Sequence, residues 1–394
     1  MKFFIFLYYF EKEVTKDKVG SVRVQELSKN LIRFKQKVVL FIPKTNNPYR
    51  LAQESLKIVE IPFLPFWLLR PITFYTLLFL ISFWQALRLR PDIIYVRIMG
   101  TFFPVILSRL LRIPLVIEVN GDSIGGYKNK FKIACLTFID RINFKFCDKA
   151  IPITKSLQAM LEKRYRVPLA KTVVLSSGSN ISLFRPMDST LCRQRIKVVM
   201  DLFYVGFIGT LYKYQGIATL IDAAREVLNS FPKTKFLIVG DGPMKESLIQ
   251  KAADEKLSEY FIFTGQVPYE EAPYYINAMD VCVAPLRGDR GEASPVKIFD
   301  YWACGKPVVA SNIQTVSDIV TETKGGILVT PENPAKLSAA IVRLLANEKE
   351  RYEFGRNGRT LMVEKYSWEK ITQETVRVCE EVISGRKATR NAAI

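Results

Sequence analysis

The stretch Asp289–Asn312 of this 394-residue chain reads DRGEASPVKIFDYWACGKPVVASN and predicts a polar loop, a short helix and a buried strand. Ser294 is a favourable N-cap, Pro295 suits the first helical position, and Gly305 suits the position just past the helix end. Val308–Ala310 then begin the next strand. The pattern therefore places a helix N-terminus directly after a polar loop.

Charged residues around this helix start indicate an anion site. A helix N-terminus offers unpaired N–H groups and the positive end of a dipole, so it can hold a diphosphate. Lys297, in the first turn, adds a positive charge for the same anion. Glu292 lies just before the helix, and Asp300, on the helix body, can accept two hydrogen bonds from a vicinal diol such as a ribose.

The pair Glu292 and Asp300, in the context of SPVK and ACGKPVVAS, resembles the Glu-x7-Glu signature of glycosyltransferase family 4. That family comprises retaining, nucleotide-sugar-dependent enzymes with the GT-B fold, and here its second acid is shortened to Asp. The pattern Ser-Pro-x-Lys-x-Phe-acid-Tyr resembles that of the bacterial surface-polysaccharide branch of the family. The resemblance implies an α/β architecture of two Rossmann-like, doubly wound parallel-sheet domains facing a cleft, with a C-terminal helix crossing back onto the N-terminal domain.

The composition excludes several kinds of site. The chain has no histidine, which removes a Ser-His-Asp triad, a His-ligated zinc site and a His general base. It also lacks an Asp-x-Asp sequence, so we expect a metal-independent mechanism with no metal site and no cofactor besides the donor substrate. The six cysteines are scattered without a Cys-x-x-Cys pair, which indicates reduced thiols in a cytosolic protein.

The net charge of +19 points to anionic partners. Nucleic acid, an anionic membrane surface and phosphorylated substrates would each fit such a charge. The chain shows no zinc-finger or RNP-like motif and no basic run with interleaved aromatics, so we expect no nucleic-acid partner. A membrane together with a diphosphate substrate fits better, because the positive charge coexists with a very apolar segment.

That apolar segment spans residues 61–87, and its last 17 residues, Pro71 to Leu87, carry no charge before Arg88 and Arg90. Three interpretations remain open: a buried core helix, an interfacial segment that inserts aromatic side chains into lipid, and a transmembrane span, which needs about 20 apolar residues. Residues 61–90 and the basic side chains are the part of the chain expected to contact an anionic membrane surface.

The N-terminal run 2–10 (KFFIFLYYF) predicts a buried first strand. A signal peptide is the alternative, but the run is short and lacks a small-residue cleavage site. A helix through about Phe34 and the strand KVVLFIP complete a β-α-β unit. In the resembling family, a glycine loop between this strand and helix approaches the sugar-phosphate. In this chain the glycine left at that position is Gly20, which is therefore the candidate for this contact.

Asn120 follows the predicted strand PLVIEV, and ligands of open α/β sheets bind beyond the carboxyl ends of the strands. Many members of the resembling family carry a His at this position, so the Asn120 amide would take over a hydrogen bond to the transferred sugar. The alternative is that Glu118 and Asn120 only stabilise the turn.

The loop after the strand LFYVGFIG resembles the family's Gly-Arg-Leu-x-x-x-Lys-Gly loop, whose Arg and Lys bind the donor diphosphate. Here Gly209 is followed by Thr210, and Gln215 stands in place of the Lys. Lys213, assisted by Lys297, is the expected substitute. Further along, in members of the resembling family, the backbone just after the Gly that ends a strand contacts the nucleobase. In this chain that Gly follows the strand FIFT, and the next two residues are Gln266 and Val267.

The predicted domains are an acceptor-binding domain over 1–190, a nucleotide-sugar-binding domain over 191–366, and a crossover helix with a tail over 367–394. The boundary is placed at a loose link around Met187–Lys197, the last helix is expected from Ser367 to about Ser384, and residues 385–394 are expected to fray.

The resemblance implies transfer of a hexose from a UDP- or GDP-linked sugar, with retention, to a lipid-linked or growing surface polysaccharide or glycolipid. Glu292 and Asn120 would act on the sugar, and the protein would lie in the cytoplasm, peripheral on the inner face of the cell membrane. The alternatives are a GT-B nucleotide-sugar epimerase and a catalytically impaired, membrane-associated relative that acts as a binding protein.

Overall fold

The computed structural model describes residues 1–6, 19–44, 56–64, 66, 69–97, 100–124, 127, 129–288 and 296–391. The chain divides into two compact units, unit 1 (1–177 and 368–394) and unit 2 (178–367). Unit 2 therefore begins earlier than the boundary predicted at 190–191, and the last helix belongs to unit 1.

The elements up to residue 177 are these: β1 (Lys2–Phe6), α1 (Val19–Arg33), β2 (Lys37–Pro43), β3 (Leu56–Ile61), α2 (Leu69–Leu89), β4 (Ile93–Arg97), α3 (Phe103–Leu111), β5 (Leu115–Val119), α4 (Lys130–Phe146), β6 (Lys149–Pro152) and α5 (Lys155–Tyr165). The later elements are α6 (Ser189–Arg195), β7 (Phe203–Ile208), α7 (Ile217–Ser230), β8 (Thr234–Val239), α8 (Lys245–Asp254), β9 (Phe261–Gly265), α9 (Ala272–Ala278), β10 (Val281–Ala284), α10 (Val296–Ala303), β11 (Val308–Ser311), α11 (Gln314–Thr323), β12 (Gly326–Val329), α12 (Pro334–Ala346), α13 (Glu348–Glu364) and α14 (Trp368–Asn391).

Within the described part of the chain, each unit contains one six-stranded sheet in which every pairing between strands is parallel. The strand orders are β3-β2-β1-β4-β5-β6 and β12-β11-β10-β7-β8-β9. Both match the 3-2-1-4-5-6 order of the Rossmann fold, which confirms the predicted α/β class.

The sheet of unit 1 is buried on both faces because successive side chains of a strand point to opposite sides. Phe4 and Phe6 of β1 pack with helices α2 to α5, whereas Phe3 and Ile5 pack with α1 and α14. The crossover helix is thus part of the unit 1 core, as predicted.

The sheet of unit 2 is covered in the same way. Val205 and Phe207 of β7 pack on α7 and α12, whereas Tyr204 packs with α9, α10 and α11. Gly305 ends α10 with φ +71°, the left-handed conformation expected there.

Two predictions about connections are wrong. The predicted loose link Met187–Lys197 contains helix α6, which packs in unit 2 because Arg193 pairs with Asp280 at 2.8 Å and Cys192 is buried. The tail expected to fray from residue 385 is helical to Asn391, and Arg386 pairs with Asp148 at 2.6 Å.

Helix α2 is a core helix on one face and exposed on the other. Phe74, Leu78 and Ala86 are buried in unit 1, whereas Leu80 and Trp84 are 56% and 55% exposed. By length and apolar composition α2 alone, among the described residues, could cross a membrane, but buried and membrane-spanning helices share those properties.

Candidate functional site

The carboxyl end of β7 turns through a glycine whose conformation other residues rarely adopt. Gly209 has φ +141°, and a Cβ there would lie 3.2 Å from Cε of Lys297. Gly216 caps the start of α7 with φ +70°, and a Cβ there would overlap the carbonyl oxygen of Pro285. The backbone path of the loop from 209 to 216 therefore depends on these two positions.

Lys297 extends from the first turn of α10 to this loop. Its Nζ donates a hydrogen bond to Oε1 of Gln215 and lies 4.6 Å from the centre of the Phe207 ring. Gln215 is buried at the end of a 3-10 turn, Lys213–Gln215. A lysine from α10 thus supplies positive charge at the loop position where the family motif has its own Lys.

Helix α10 is held in place by buried and partly buried hydrogen bonds. The backbone N–H of Ile208 donates to the Tyr301 hydroxyl at 2.9 Å, and Nε1 of Trp302 donates to the carbonyl of Gly325 at 2.8 Å. The Ser179 hydroxyl donates to Oδ1 of Asp300 at 2.6 Å. The end of β7 and the body of α10 are therefore joined directly.

The neighbouring loop after β8 packs on the same backbone. The N–H of Leu211 donates to the carbonyl of Asp241 at 2.9 Å, and the N–H of Gly209 donates to Val239 at 2.9 Å. A Cβ at Gly240, which has φ +131°, would lie 2.1 Å from the carbonyl oxygen of Gly209. The two loops approach each other at van der Waals distance because glycine occupies position 240.

The structure brings together only part of the predicted donor site. Lys297, Gly209 and the loop with Gln215 meet, whereas the Thr210 and Lys213 side chains are exposed.

The remaining predicted residues are distributed as follows. Gln266 is exposed and Val267 half-buried in the turn after β9. Gly20 lies in the first turn of α1. Three predicted residues lie outside the described residues: Glu292, Ser294 and Pro295.

At the carboxyl end of β5 in unit 1, a buried carboxylate collects several donors. Oε2 of Glu118 accepts from Arg23 at 2.8 Å and from the Tyr95 hydroxyl at 2.6 Å. Oε1 accepts from Nδ2 of Asn120 at 2.9 Å and lies 3.6 Å from Nε of Arg97. Glu118 is thus a centre that orients four side chains.

Burial alone would raise the pKa of Glu118, but the attraction and hydrogen bond of Arg23, the charge of Arg97 and the Tyr95 hydroxyl outweigh it and lower the pKa to about 2. The carboxylate is therefore ionised at all ordinary pH values. Arg23 is further held by the Ser177 hydroxyl at 3.2 Å and by the Trp368 ring at 5.2 Å.

The pKa of a second buried acid, Asp140 on α4, is shifted in the opposite direction. Burial raises its pKa to about 6, against hydrogen bonds from Ser123 and Tyr165 that lower it. Its neighbour Asp122 pairs with Arg164 at 2.7 Å. Asp122 and Ser123 directly follow Asn120 and Gly121, so these contacts tie the start of the loop after β5 to α4 and α5.

Sequence reasoning considered Glu118 only as a turn residue and missed Arg23, Tyr95 and Arg97. A signal existed, because a glutamate inside the apolar strand LVIEV must be buried with a cation. Its partner could not be chosen, since Arg23 lies 95 residues away in the chain.

The comparisons with known proteins agree with this architecture. Residues 20–183 match the model of Glycosyltransferase Family 4, and residues 203–347 match that of Glycosyl transferases group 1, so the matched ranges together exceed half of the chain. The chain belongs to glycosyltransferase family 4.

This family 4 chain spans only about 60% of the length of two curated relatives that it matches, 64% of one and 59% of the other. An uncharacterized glycosyltransferase of Methanocaldococcus jannaschii is 24% identical over 66% of this chain and 64% of its own. The GDP-mannose-dependent alpha-(1-6)-phosphatidylinositol monomannoside mannosyltransferase of Mycolicibacterium smegmatis is 29% identical over 57% of this chain and 59% of its own.

Among solved structures, Anabaena HepE in complex with UDP superimposes with a TM-score of 0.78. The match covers 97% of this chain and all of that chain at 19% identity. It shows that both chains share the GT-B fold.

Proposed function

We propose that the protein transfers a hexose from a UDP- or GDP-linked sugar, with retention of configuration, to a lipid-linked or growing surface polysaccharide or glycolipid. The observation that carries this proposal is the junction of β7, its glycine loop and α10, where Lys297 meets Gln215. Ligands of doubly wound sheets bind at such strand ends, and a helix start with a lysine favours a diphosphate.

The roles proposed for Lys297 and Asp300 follow from their positions, whereas those of Glu292, Gln266 and Val267 follow from the family resemblance. Lys297 and the N–H groups at the start of α10 stabilise the negative charge on the departing diphosphate, an electrostatic role of the oxyanion-hole kind. Asp300, with one oxygen held by Ser179, accepts hydrogen bonds from the ribose diol. Glu292 contacts the transferred sugar near its anomeric carbon, and Gln266–Val267 contact the nucleobase.

The reaction is proposed to need no metal. The chain has no histidine and no Asp-x-Asp. Within the described ranges no three His, Cys, Asp or Glu side chains are grouped to hold a metal ion. Lys297 then takes the place of a divalent cation at the diphosphate.

The donor assignment is tested by thermal unfolding with UDP, GDP, ADP and their sugar conjugates, with and without EDTA. A ligand at a hundred times its dissociation constant stabilises the folded state by about 2.7 kcal/mol. We expect a shift with UDP or GDP that EDTA does not remove, and loss of transfer in Glu292→Ala with unchanged stability. No shift with any nucleotide would refute the transferase and favour a binding protein.

The proposed site of action is the cytoplasmic face of the cell membrane, and a face of unit 1 supports it. Helix α2 exposes an apolar stripe at helical spacing that includes Ile72, Leu80 and Trp84. Helix α4, which contacts α3 as α3 contacts α2, exposes Phe131 and Phe138, which are 79% and 58% accessible. Apolar side chains of this size, left exposed on neighbouring helices, favour contact with lipid.

The charges on these helices have one sign. Helices α2, α3 and α4 together carry seven Lys and Arg residues but only one acid, Asp140, which is fully buried. A surface that combines aromatic side chains with positive charge is complementary to anionic lipid headgroups. This face extends the expected contact region 61–90 to α3 and α4.

Vesicle co-sedimentation tests the membrane contact. Phosphatidylcholine vesicles that contain phosphatidylglycerol should bind the protein, and binding should weaken as salt screens the charges. The double variant Trp84→Ser/Phe138→Ser should lose most binding and keep its Tm, because both side chains are exposed. Tyr352→Ser, which removes a 71% exposed aromatic from α13 in unit 2, is the matched control. Equal binding of vesicles by the double variant and by Tyr352→Ser would refute the proposal that this face of unit 1 contacts the membrane.

A further inference from the structure

The buried acid Asp140 on α4 has one carboxylate oxygen in use and one left over. Its Oδ2 accepts from the Ser123 hydroxyl, in the loop after β5, and from the Tyr165 hydroxyl on α5 at 3.3 Å. Its Oδ1 is buried and has no hydrogen-bond partner in the part of the chain that the structure describes. An ionised carboxylate can accept about four hydrogen bonds, so one side of this group is unsatisfied.

A second oxygen without a partner lies one turn further along the same helix. The side-chain Nδ2 of Asn143 donates to the carbonyl of Thr101 at 2.9 Å, whereas its Oδ1 is buried and, among the described residues, unpaired. Residues three apart on a helix lie on the same face, with Cβ atoms about 5–6 Å apart. The two unpaired oxygens are therefore neighbours, and neither can satisfy the other because both only accept.

Another buried acid of unit 1 shows what Asp140 lacks. Glu118 uses both of its oxygens and is neutralised by Arg23 at 2.8 Å. Asp140 has hydroxyl donors but, within the described ranges, no ion pair. The charged side chains that act on it from neighbouring elements are Asp122 and Arg164, which pair with each other at 2.7 Å. A buried carboxylate without a cation is costly, and a bound proton removes that cost.

We infer that Asp140 binds a proton on Oδ1 and donates it in a hydrogen bond to Oδ1 of Asn143, so that the two unpaired oxygens satisfy each other. One proton is taken up from solvent, and no other bond is made or broken. Ionisation would leave the two oxygens as neighbours with no hydrogen between them and a negative charge on one. The proton site is independent of the proposed function, because no substrate takes part in it.

Protonation tightens the attachment of α4, and ionisation loosens it. Through Asn143 the helix is tied to the carbonyl of Thr101, just before α3, and a negative charge on Asp140 would repel the Asn143 oxygen and strain this tie. Burial raises the pKa of Asp140 to about 6, although the hydroxyls of Ser123 and Tyr165 lower it. Burial also raises the pKa of Tyr165, which therefore remains a neutral donor. The attachment of α4 thus changes as the pH rises through about 6.

The first test compares stability across pH. Because the pKa of Asp140 rises from 3.8 in the unfolded chain to about 6 in the fold, its ionisation destabilises the fold above pH 6, and this penalty fades as the pH falls toward 3.8. Asp140→Asn mimics the protonated acid, so its Tm should exceed that of the wild type at about pH 8, and the gap should narrow as the pH falls. Asp122→Asn, the matched control, removes a 27% exposed acid that pairs with Arg164 and should not raise the Tm.

The second test detects the proton itself by infrared spectroscopy. A protonated carboxyl has a C=O band that a carboxylate lacks, and the difference spectrum between the wild type and Asp140→Asn isolates the band of Asp140. We expect this band to appear as the pH falls through about 6. In Asn143→Leu the acceptor is gone, so the band should shift to higher frequency, as for a carboxyl that has lost its hydrogen-bond acceptor.

The outcomes separate the proton from other occupants of this space. A Tm gap of Asp140→Asn that stays constant with pH, together with no carboxyl band, would mean that a buried water or ion satisfies the oxygens and would refute the bound proton. A band that Asn143→Leu does not move would refute Asn143 as the acceptor. Both experiments are done without nucleotide, so a failure of the proposed function leaves their results unchanged.

Discussion

The two sheets of this protein build the carboxyl ends of their strands by different means. In unit 1 the strand end at Glu118 is organised by buried side chains, with a carboxylate that four donors surround. In unit 2 the strand end at Gly209 is organised by backbone, with loops that contact each other through glycines. The same fold thus supports two kinds of site.

The difference determines what each site tolerates. A buried ion cluster is sensitive to a change of charge, because any partner left alone is desolvated without compensation. A glycine-built loop is sensitive to added volume and to its φ angles, but not to charge. Substitutions that change charge should therefore destabilise the strand end in unit 1 more than that in unit 2, and substitutions that add volume should do the reverse.

The largest effect is expected from Glu118→Ala. Removing this carboxylate leaves Arg23 buried without its counter-charge, and breaking a buried pair costs about 3–5 kcal/mol of unfolding free energy. Urea unfolding measures the loss. Glu369→Ala is the matched control in unit 1, because its pair with Arg33 is exposed and 4.0 Å long, so it should cost under about 1 kcal/mol.

The same comparison has a pH signature. Because the pKa of Glu118 falls from 4.5 in the unfolded chain to about 2 in the fold, its stabilisation is fully present above 4.5 and is lost as the pH drops toward 2. Glu118→Ala lacks this contribution, so its deficit should shrink across that interval. A constant deficit would mean that the cluster stabilises by packing and not by charge.

The second prediction compares two glycines at strand ends. Gly209→Ala should cost about 1–3 kcal/mol, because φ is +141° and the new Cβ would press on Lys297. Gly121→Ala, just after β5 in unit 1, should be nearly neutral, since no heavy atom lies within 4 Å of its Cβ. Denaturant unfolding of both variants measures the two losses of unfolding free energy. Equal losses would contradict the comparison.

Much of the fold could be predicted from the sequence because its signals are local. Gly305 and the strand that follows define the end of α10, and the alternation of apolar runs and amphipathic helices predicts the parallel sheets. The prediction was wrong where long-range pairs decide the structure. Arg193 with Asp280 holds α6, and Arg386 with Asp148 extends α14.

The candidate site divides along the same line. Asp300 and Lys297 could be named as candidates because they lie within one short motif. The Ser179 partner of Asp300 is 121 residues away, and the Arg23 partner of Glu118 is 95 residues away. Spacing along the chain carries no information about such pairs, and only the strand order brings them together. The sequence also assigned two lysines to the diphosphate, Lys213 and, assisting it, Lys297.

The smallest predicted effect distinguishes these two lysines. Lys297→Met should weaken binding of UDP or GDP about tenfold, since a hydrogen bond from a charged group contributes roughly 1.5–3 kcal/mol and water replaces part of it. Lys213→Met should change binding less than about twofold, because an exposed side chain in high dielectric contributes little. Isothermal titration calorimetry of both variants measures the two affinities. A larger loss in Lys213→Met would move the anion site from α10 to the loop after β7, and the strand end of unit 2 would then depend on charge as unit 1 does.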